Sequence, residues 1–155
     1  MKTSLLFLVI FLLFLLNACG DGGKSRIEEI KAKTQIEPAD PYEQWETNTG
    51  VGPVKTLSLP AETDQSLAAT GKEIYESKCT ACHKPDKQFI GPAPKGILTR
   101  RTPAWIMNMI LNPDEMVQTD PIAKKLLVEF NGSPMANQNL TEEEARAVLE
   151  YFRTL

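Results

Sequence analysis

Two cysteines followed at once by a histidine constrain this chain more than any other feature. Cys79, Cys82 and His83 form a Cys-x-x-Cys-His pattern, and His83 is the only histidine in the sequence. The third cysteine is Cys19. Zinc usually takes four ligands, and thioredoxin-type Cys-x-x-Cys pairs belong to βαβ units. The chain offers too few soft ligands for zinc, which leaves a plain disulfide or the covalent attachment of a larger group.

The spacing of the three residues favours a haem that is bound through both sulfurs. Cysteines three residues apart on a helical turn face the same side, so both can form thioethers with one edge of the macrocycle. His83 then presents its imidazole to the iron as the proximal ligand, and Cys-x-x-Cys-His is the attachment pattern of c-type haem. A disulfide would leave the adjacent histidine unexplained. The sequence therefore predicts one covalently bound haem c on Cys79, Cys82 and His83.

Residues 1–18 are predicted to be a signal peptide of the lipoprotein type. Residues 5–16 form an unbroken apolar run behind Lys2, and this run is shorter than the roughly 20 residues that a spanning helix needs. A short transmembrane anchor is the alternative. The following Leu-Asn-Ala-Cys at 16–19 resembles a bacterial lipoprotein box, which implies a lipid on Cys19. We therefore expect a place in the bacterial cell envelope, in the periplasm or on the outer side of the cytoplasmic membrane.

Residues 19–50 are predicted to be a lipid-anchored flexible linker, and residues 51–65 an N-terminal extension of the following domain. The linker is rich in Gly, Pro, Glu and Lys, and it shows no hydrophobic period. Packing of this stretch on the domain is the alternative, for which Tyr42 and Trp45 would supply local contacts.

Residues 66–155 are predicted to form an all-α domain of short helices with long irregular connections. Thr102 and Asp120 each stand before a proline, as helix caps do, and Thr141 with Glu144 forms a capping box. The loop at 84–101 is longer than a compact domain normally orders by itself. A domain of about 90 residues is also close to the smallest size that an apolar core can stabilise alone. A large cofactor inside the core would resolve both difficulties.

Residues 66–155 also resemble the class I cytochromes c. The resemblance rests on the run from Gly71 to Tyr75, on the position of Met135 52 residues after His83, and on the closing run 140–153. It implies a cytochrome c-like fold, in which short helices surround one haem and the first helix packs across the last. It also implies that Met135 is the distal ligand of the haem iron.

The other methionines of the domain are alternatives to Met135 as the distal ligand. Met107 and Met109 are assigned to the core or to the wall of the haem pocket, since methionine fills irregular apolar gaps well. Met116 is assigned to a polar loop. An open sixth position on the iron is a further alternative.

The resemblance implies three secondary contacts to the haem. In this family a proline carbonyl accepts the N–H of the proximal imidazole, and Pro92 matches that position best, with Pro94 close by. Trp105 is expected either to hydrogen-bond a haem propionate or to pack in the core. Arg100 or Arg101 is expected either to neutralise a propionate or to form a solvated pair.

These features predict a one-electron carrier of the respiratory chain rather than an enzyme. His/Met ligation fills both axial positions, and methionine raises the reduction potential. Acidic and basic residues balance in residues 65–155, which argues against nucleic-acid binding.

The expected partners are redox proteins and a terminal oxidase or reductase, such as nitrous-oxide reductase, without a small-molecule substrate. Lys78, Lys84 and Lys87 would steer an acidic partner. A haem enzyme or gas sensor, and a fixed subunit of a larger complex, are the alternatives.

Overall fold

The computed structural model describes residues 39–155, and this part of the chain is helical and contains no strand. The all-α prediction is therefore confirmed. No helix within the described range is long and apolar enough to cross a membrane. The predicted signal peptide, Cys19 and residues 19–38 of the predicted linker lie outside the described residues. The helices are a 3-10 helix (Pro41–Thr47), α1 (Gln65–Lys78), a 3-10 turn (Ile97–Thr99), α2 (Pro103–Leu111), α3 (Pro113–Thr119), α4 (Pro121–Glu129) and α5 (Glu142–Phe152).

Local sequence signals determine where the helices begin. Thr102 caps α2 and Asp120 caps α4, and each side chain accepts a hydrogen bond from the backbone N–H three residues on. A proline follows each cap, where its missing N–H costs nothing and its fixed φ suits the first turn. Thr141 and Glu144 form both hydrogen bonds of the capping box at α5. The predictions for these three helix starts are confirmed.

The prediction of a polar loop around Met116 is wrong. Pro113–Thr119 forms helix α3, and Met116 is fully buried on it. Its sulfur accepts a hydrogen bond of 3.0 Å from the N–H of Val51. Asp114 and Glu115 give the segment its polar appearance, but both are exposed in the first turn of α3, where acidic groups suit the positive end of a helix.

Helices α1 and α5 cross in direct backbone contact at Gly71. A Cβ atom on Gly71 would lie 1.9 Å from the carbonyl oxygen of Ala147, so no other residue fits there without separating the helices. One turn further along α1, Tyr75 is buried, and its ring centroid lies 5.3 Å from that of Tyr151 and 5.8 Å from that of Phe152. The predicted packing of the first helix across the last is therefore confirmed.

Residues 40–64, here named the N-terminal strap, belong to the folded unit that continues to residue 155. This corrects the prediction of a linker over 19–50, because its last eleven residues are packed on the domain. Tyr42 and Trp45 are partly buried against the core, as the alternative required.

Buried polar side chains of the helices hold the strap in place. The Asn108 side chain is fully buried, and its Nδ2 donates to the carbonyl oxygens of Thr49 and Val54 at 2.9 and 2.8 Å. Its Oδ1 accepts from the N–H of Val54 at 3.0 Å. Asn48 Nδ2 donates to Asp120 Oδ2 at 2.6 Å. The strap thus satisfies polar groups that would be costly to bury unpaired.

A charged cluster on α5 holds the other end of the strap. Arg153 Nη2 donates to the carbonyl oxygens of Pro60 and Ala61 at 2.6 and 3.1 Å. The same guanidinium pairs with Glu150, which is 1 % exposed and also pairs with Arg146. Burial alone would raise the pKa of Glu150, but the hydrogen bonds from the two arginines outweigh it and lower the pKa.

Candidate cofactor site

An apolar cavity opens beside the Cys-x-x-Cys-His segment. Cys79, Cys82, His83 and Met135 all line it. Counted with its open mouth, the cavity encloses about 1340 Å³, which suits a large apolar group rather than a lone metal ion. Much of the remaining wall is aliphatic or aromatic and comes from α2, α4, α5 and the loops before α2: Ile90, Ile97, Ile106, Ile110, Leu126, Leu127, Val148 and Phe152.

The two cysteines lie on a helical turn that continues from α1. The N–H of Cys79 donates to the Tyr75 carbonyl at 2.9 Å, and the N–H groups of Cys82 and His83 both donate to the Cys79 carbonyl, at 3.1 and 2.9 Å. Both thiols are free, Cys79 being half-buried and Cys82 exposed. Burial raises the pKa of the Cys79 thiol to about 11.

His83 is held by the loop that follows it. Its Nδ1 lies 2.8 Å from the carbonyl oxygen of Pro92. Because a carbonyl only accepts, Nδ1 carries the proton, and Nε2 keeps the lone pair with which imidazole binds a metal. A Cβ on Gly91 would lie 2.4 Å from His83 Cε1, so the ring packs directly on that backbone. Pro92 thus lies where the resemblance implies, and its influence on the iron stays a prediction.

Met135 and Met109 are the methionines of the described chain that line the cavity. Met135 is half-buried in the loop between α4 and α5, whereas Met109 is carried by α2. Met107 and Met116 are buried in the core, at 3 % and 0 % exposure, and neither lines the cavity. The choice of Met135 as the distal ligand therefore stays a prediction, with Met109 as its rival inside the same cavity.

A protein-family model described as cytochrome c matches residues 68–155. The chain belongs to the cytochrome c family. Among solved structures, a cytochrome c from Rhodothermus marinus is 47% identical over 66% of this chain and 88% of its own, with a TM-score of 0.64. An engineered cytochrome c from the same organism, Rma TDE, is 46% identical over 66% and 89%, also with a TM-score of 0.64. Rma TDE bound to a carbene intermediate (1-ethoxy-1-oxopropan-2-ylidene) is 47% identical over 66% and 88%, with a TM-score of 0.61. No curated protein matches the chain.

Membership of the family identifies the bound group as a covalent haem c and the role as electron transfer. The site of this cytochrome fits that group on three points. Both free thiols lie on one helical turn. The proximal imidazole has its Nδ1 proton bound by Pro92. The remaining wall is apolar and large enough for a macrocycle. Haem iron supplies the one-electron redox chemistry, and the protein supplies attachment, axial ligands and a dry surround.

Two arginines line the haem cavity in different ways. Arg100 Nη1 and Nη2 donate to the carbonyl oxygens of Lys95 and Ala93 at 3.0 and 2.7 Å, which orders the loop after the haem motif. Arg101 is only 6 % exposed, so the prediction of a solvated pair is wrong for it. Burial lowers the pKa of both guanidinium groups. Two partly desolvated cations in one wall suit the propionates of a haem, and this role of Arg100 stays a prediction.

Trp105 lines the cavity, and the only hydrogen-bond donor of its side chain is already used. The indole Nε1 donates to Asp120 Oδ1 at 3.0 Å, and the side chain is 2 % exposed. A hydrogen bond to a propionate would require the bond to Asp120 to break. The structure therefore has the core-packing arrangement, and Asp120 is at once the cap of α4 and the partner of this tryptophan.

Sequence reasoning missed two contributors to the site. Gly91 provides the bare backbone on which His83 lies, and the glycine before Pro92 was the available signal. Tyr42 stacks its ring on Arg101, with 4.5 Å between the guanidinium carbon and the ring centroid. No local signal links Tyr42 to a residue 59 positions later in the chain.

Proposed function

We propose that this cytochrome is anchored through a lipid on Cys19 in the bacterial cell envelope and carries single electrons from respiratory-chain donors to a terminal oxidase or reductase, such as nitrous-oxide reductase. The observation that carries the electron-transfer part is one apolar cavity lined by both thiols, His83 and Met135. A protein ligand on each side of the iron leaves no position for a substrate, so that electrons pass without bond chemistry. The lipoprotein box at 16–19 supports the anchor.

The surface beside Cys82 has the character of a docking site for an acidic redox partner. Cys82 is exposed, and the nearby Phe89, which lies outside the cavity wall, is 52 % exposed, which is unusual for a large apolar side chain. Lys84 Nζ lies 4.9 Å from the centroid of the Phe89 ring, and Lys87 is exposed in the same loop. An apolar centre with basic residues around it suits transient docking, because charge speeds encounter and the apolar contact excludes water.

Charge reversal tests this docking surface. Lys87→Glu is expected to slow oxidation by hexacyanoferrate(III), a small anionic oxidant, about threefold at low ionic strength and not at high salt, because salt screens exposed charges. Lys124→Glu, an exposed lysine on α4 outside the cavity wall, is the matched control. Equal rates for the two variants would contradict docking of anionic partners beside Cys82.

The respiratory role is tested with membrane vesicles of a strain that lacks this protein. Adding the full lipidated chain should restore electron flow to oxygen or nitrous oxide, measured as consumption of either gas. The Cys19→Ser variant should keep its haem but lose membrane partitioning and most of this restoration. A wild-type protein that stays reduced while both gases are supplied would contradict the terminal-oxidase and reductase proposal.

A haem sensor or haem enzyme is the second candidate function. The loop around Met135 is mostly exposed, and the engineered Rhodothermus marinus relative is described as bound to a carbene intermediate. A distal side that opens would let this chain bind small ligands. The absorption spectrum separates the two functions, since low-spin six-coordinate haem indicates the carrier and high-spin five-coordinate haem indicates the sensor.

A further inference from the structure

Arg101 is a buried cation that has no carboxylate within salt-bridge distance among residues 39–155. Its Nη1 donates to the carbonyl oxygen of Arg100. Two aromatic rings flank the guanidinium group, with ring centroids 4.5 Å away in Tyr42 and 5.3 Å away in Trp105. Because Arg101 also lines the haem cavity, two aromatic faces hold a positive charge in the wall of that cavity.

Tyr42 is fixed by contacts on its hydroxyl and its ring. The hydroxyl donates to Glu129 Oε2 at 2.7 Å. Lys125 Nζ lies 4.1 Å from the ring centroid, and the same nitrogen pairs with Asp40 at 2.7 Å. Burial, with the bond to Glu129, raises the pKa of the Tyr42 hydroxyl, so the ring stays neutral over the working range. The ring that faces Arg101 is therefore held from the strap side and from α4.

We propose that Tyr42 is a positioning residue for the haem, through which the N-terminal strap keeps the Arg101 guanidinium against the cavity and shields it from water. The strap precedes residue 68, where the match to the cytochrome c family begins. The inference goes beyond the proposed function, because it concerns the potential of the haem and needs neither a membrane nor a redox partner.

The sign of the effect follows from the charges. Reduction of the haem iron adds one negative charge to the site, and a nearby cation stabilises that state. The attraction is stronger in a poorly solvated wall than in water. If the Tyr42 face is removed, the guanidinium gains water and freedom to move, so the equilibrium constant for reduction falls. Phenylalanine at the same position keeps the aromatic face and loses only the hydroxyl bond to Glu129.

The experiment compares four variants of the full haem-loaded chain by redox equilibration with a soluble mediator. Tyr42→Leu and Arg101→Gln are each expected to lower the equilibrium constant for reduction about threefold to tenfold, and Tyr42→Phe to leave it within about 1.5-fold. Trp45→Leu is the matched control, because Trp45 packs on the core from the same 3-10 helix without stacking on Arg101. It should lower the unfolding midpoint and leave the equilibrium constant unchanged.

Combining the variants isolates the path through Arg101. In the Arg101→Gln background, Tyr42→Leu should add no further shift, since coupled residues are non-additive. Exchange of the Arg101 Nε–H proton, followed by NMR, should speed up in Tyr42→Leu and not in Tyr42→Phe or Trp45→Leu. An unchanged equilibrium constant in Tyr42→Leu, or an equal Tyr42→Leu shift with and without Arg101, would overturn the proposal, as would a shift in Trp45→Leu as large as that in Tyr42→Leu.

Discussion

The loops that carry His83 and Met135 differ in how the protein holds them. After His83, the N–H of Gly91 donates to the Cys82 carbonyl at 2.9 Å and the N–H of Lys95 to the Pro85 carbonyl at 3.0 Å, while Nδ1 of His83 is bound by Pro92. Residues 133–139 have mostly short-range hydrogen bonds. Within the described chain, the one that reaches another element joins Asn137 Nδ2 to the Leu111 carbonyl at 3.5 Å.

This contrast teaches where the order of each loop comes from. The imidazole is oriented by backbone hydrogen bonds, whereas the loop of Met135 has little long-range attachment of its own and would gain one if the predicted bond from its sulfur to the iron forms. Asn131, Gly132 and Asn139 all adopt positive φ, at 57°, 72° and 52°, so the loop turns sharply at both ends. We therefore expect the proximal side to stay fixed in both oxidation states and the distal side to respond to ligand competition.

The largest effect is expected when both thioethers are removed. In the Cys79→Ala, Cys82→Ala variant the haem is no longer held covalently, and the apolar cavity wall loses its cover, so the chain should be largely unfolded. Circular dichroism with a thermal melt, and extraction into acidified acetone, measure this. Cys19→Ser, which leaves the motif intact, should keep its haem through extraction. Native helix content with a cooperative melt in the double variant would show that the protein alone orders both sides.

Loss of the distal ligand is the next largest effect. Met135→Ala should abolish the weak red-edge absorption band of methionine-ligated ferric haem, lower the reduction potential and open the iron to carbon monoxide. Met109→Ala is the matched control, because Met109 lines the same cavity on a helix. If the band survives Met135→Ala and disappears in Met109→Ala, the ligand is Met109 and the comparison of the two loops fails.

A pair of glycine substitutions measures the two sides directly. Gly91→Ala places a Cβ 2.4 Å from the His83 ring, so we expect a loss of about 1–3 kcal/mol of stability from overpacking and altered signals of the axial imidazole by NMR. A Cβ at Gly132 meets no atom within 4 Å. The only expected loss of stability for Gly132→Ala is therefore about 1 kcal/mol, because alanine is strained at a positive φ. Denaturant unfolding compares them. A larger loss for Gly132→Ala would reverse the assignment of the rigid side.

The smallest effect is expected for the hydrogen bond of Asn137, which joins the loop at 133–139 to the end of α2. Asn137→Ala removes an exposed 3.5 Å contact, so the free energy of unfolding should change by less than about 0.5 kcal/mol. The association rate of carbon monoxide with the reduced protein should nevertheless rise, because the loop opens more often. Flash photolysis gives this rate, and Lys124→Ala, an exposed change on α4 outside the cavity wall, should leave it unchanged.

Much of the fold could be predicted because its signals are local. The proline-marked starts of α2 and α4 and the capping box of α5 depend on residues within one turn of each other. The Cys-x-x-Cys-His pattern is likewise contained in five residues and defines the attachment site. The run from Gly71 to Tyr75 is also short, and the resemblance that rests on it implied that the first helix packs across the last.

The errors came from interactions between distant parts of the chain. Residues 40–50 have the composition of a linker, and the side chains that hold them on the domain, among them Asn108 and Asp120, lie more than 50 residues later. Arg101 looked solvated beside Arg100, but in the folded protein it is buried and the distant Tyr42 ring lies over its guanidinium group. No periodicity records such contacts, since each depends on a single side chain that meets its partner only in the folded state.

The backbone contact between Gly71 and Ala147 joins segments that the ribosome makes at very different times. Synthesis from the N-terminus delivers Cys79, Cys82 and His83 well before α5. Until then α1 lacks its crossing partner. The contact between the first and last helices can therefore form only after the whole attachment segment has been made.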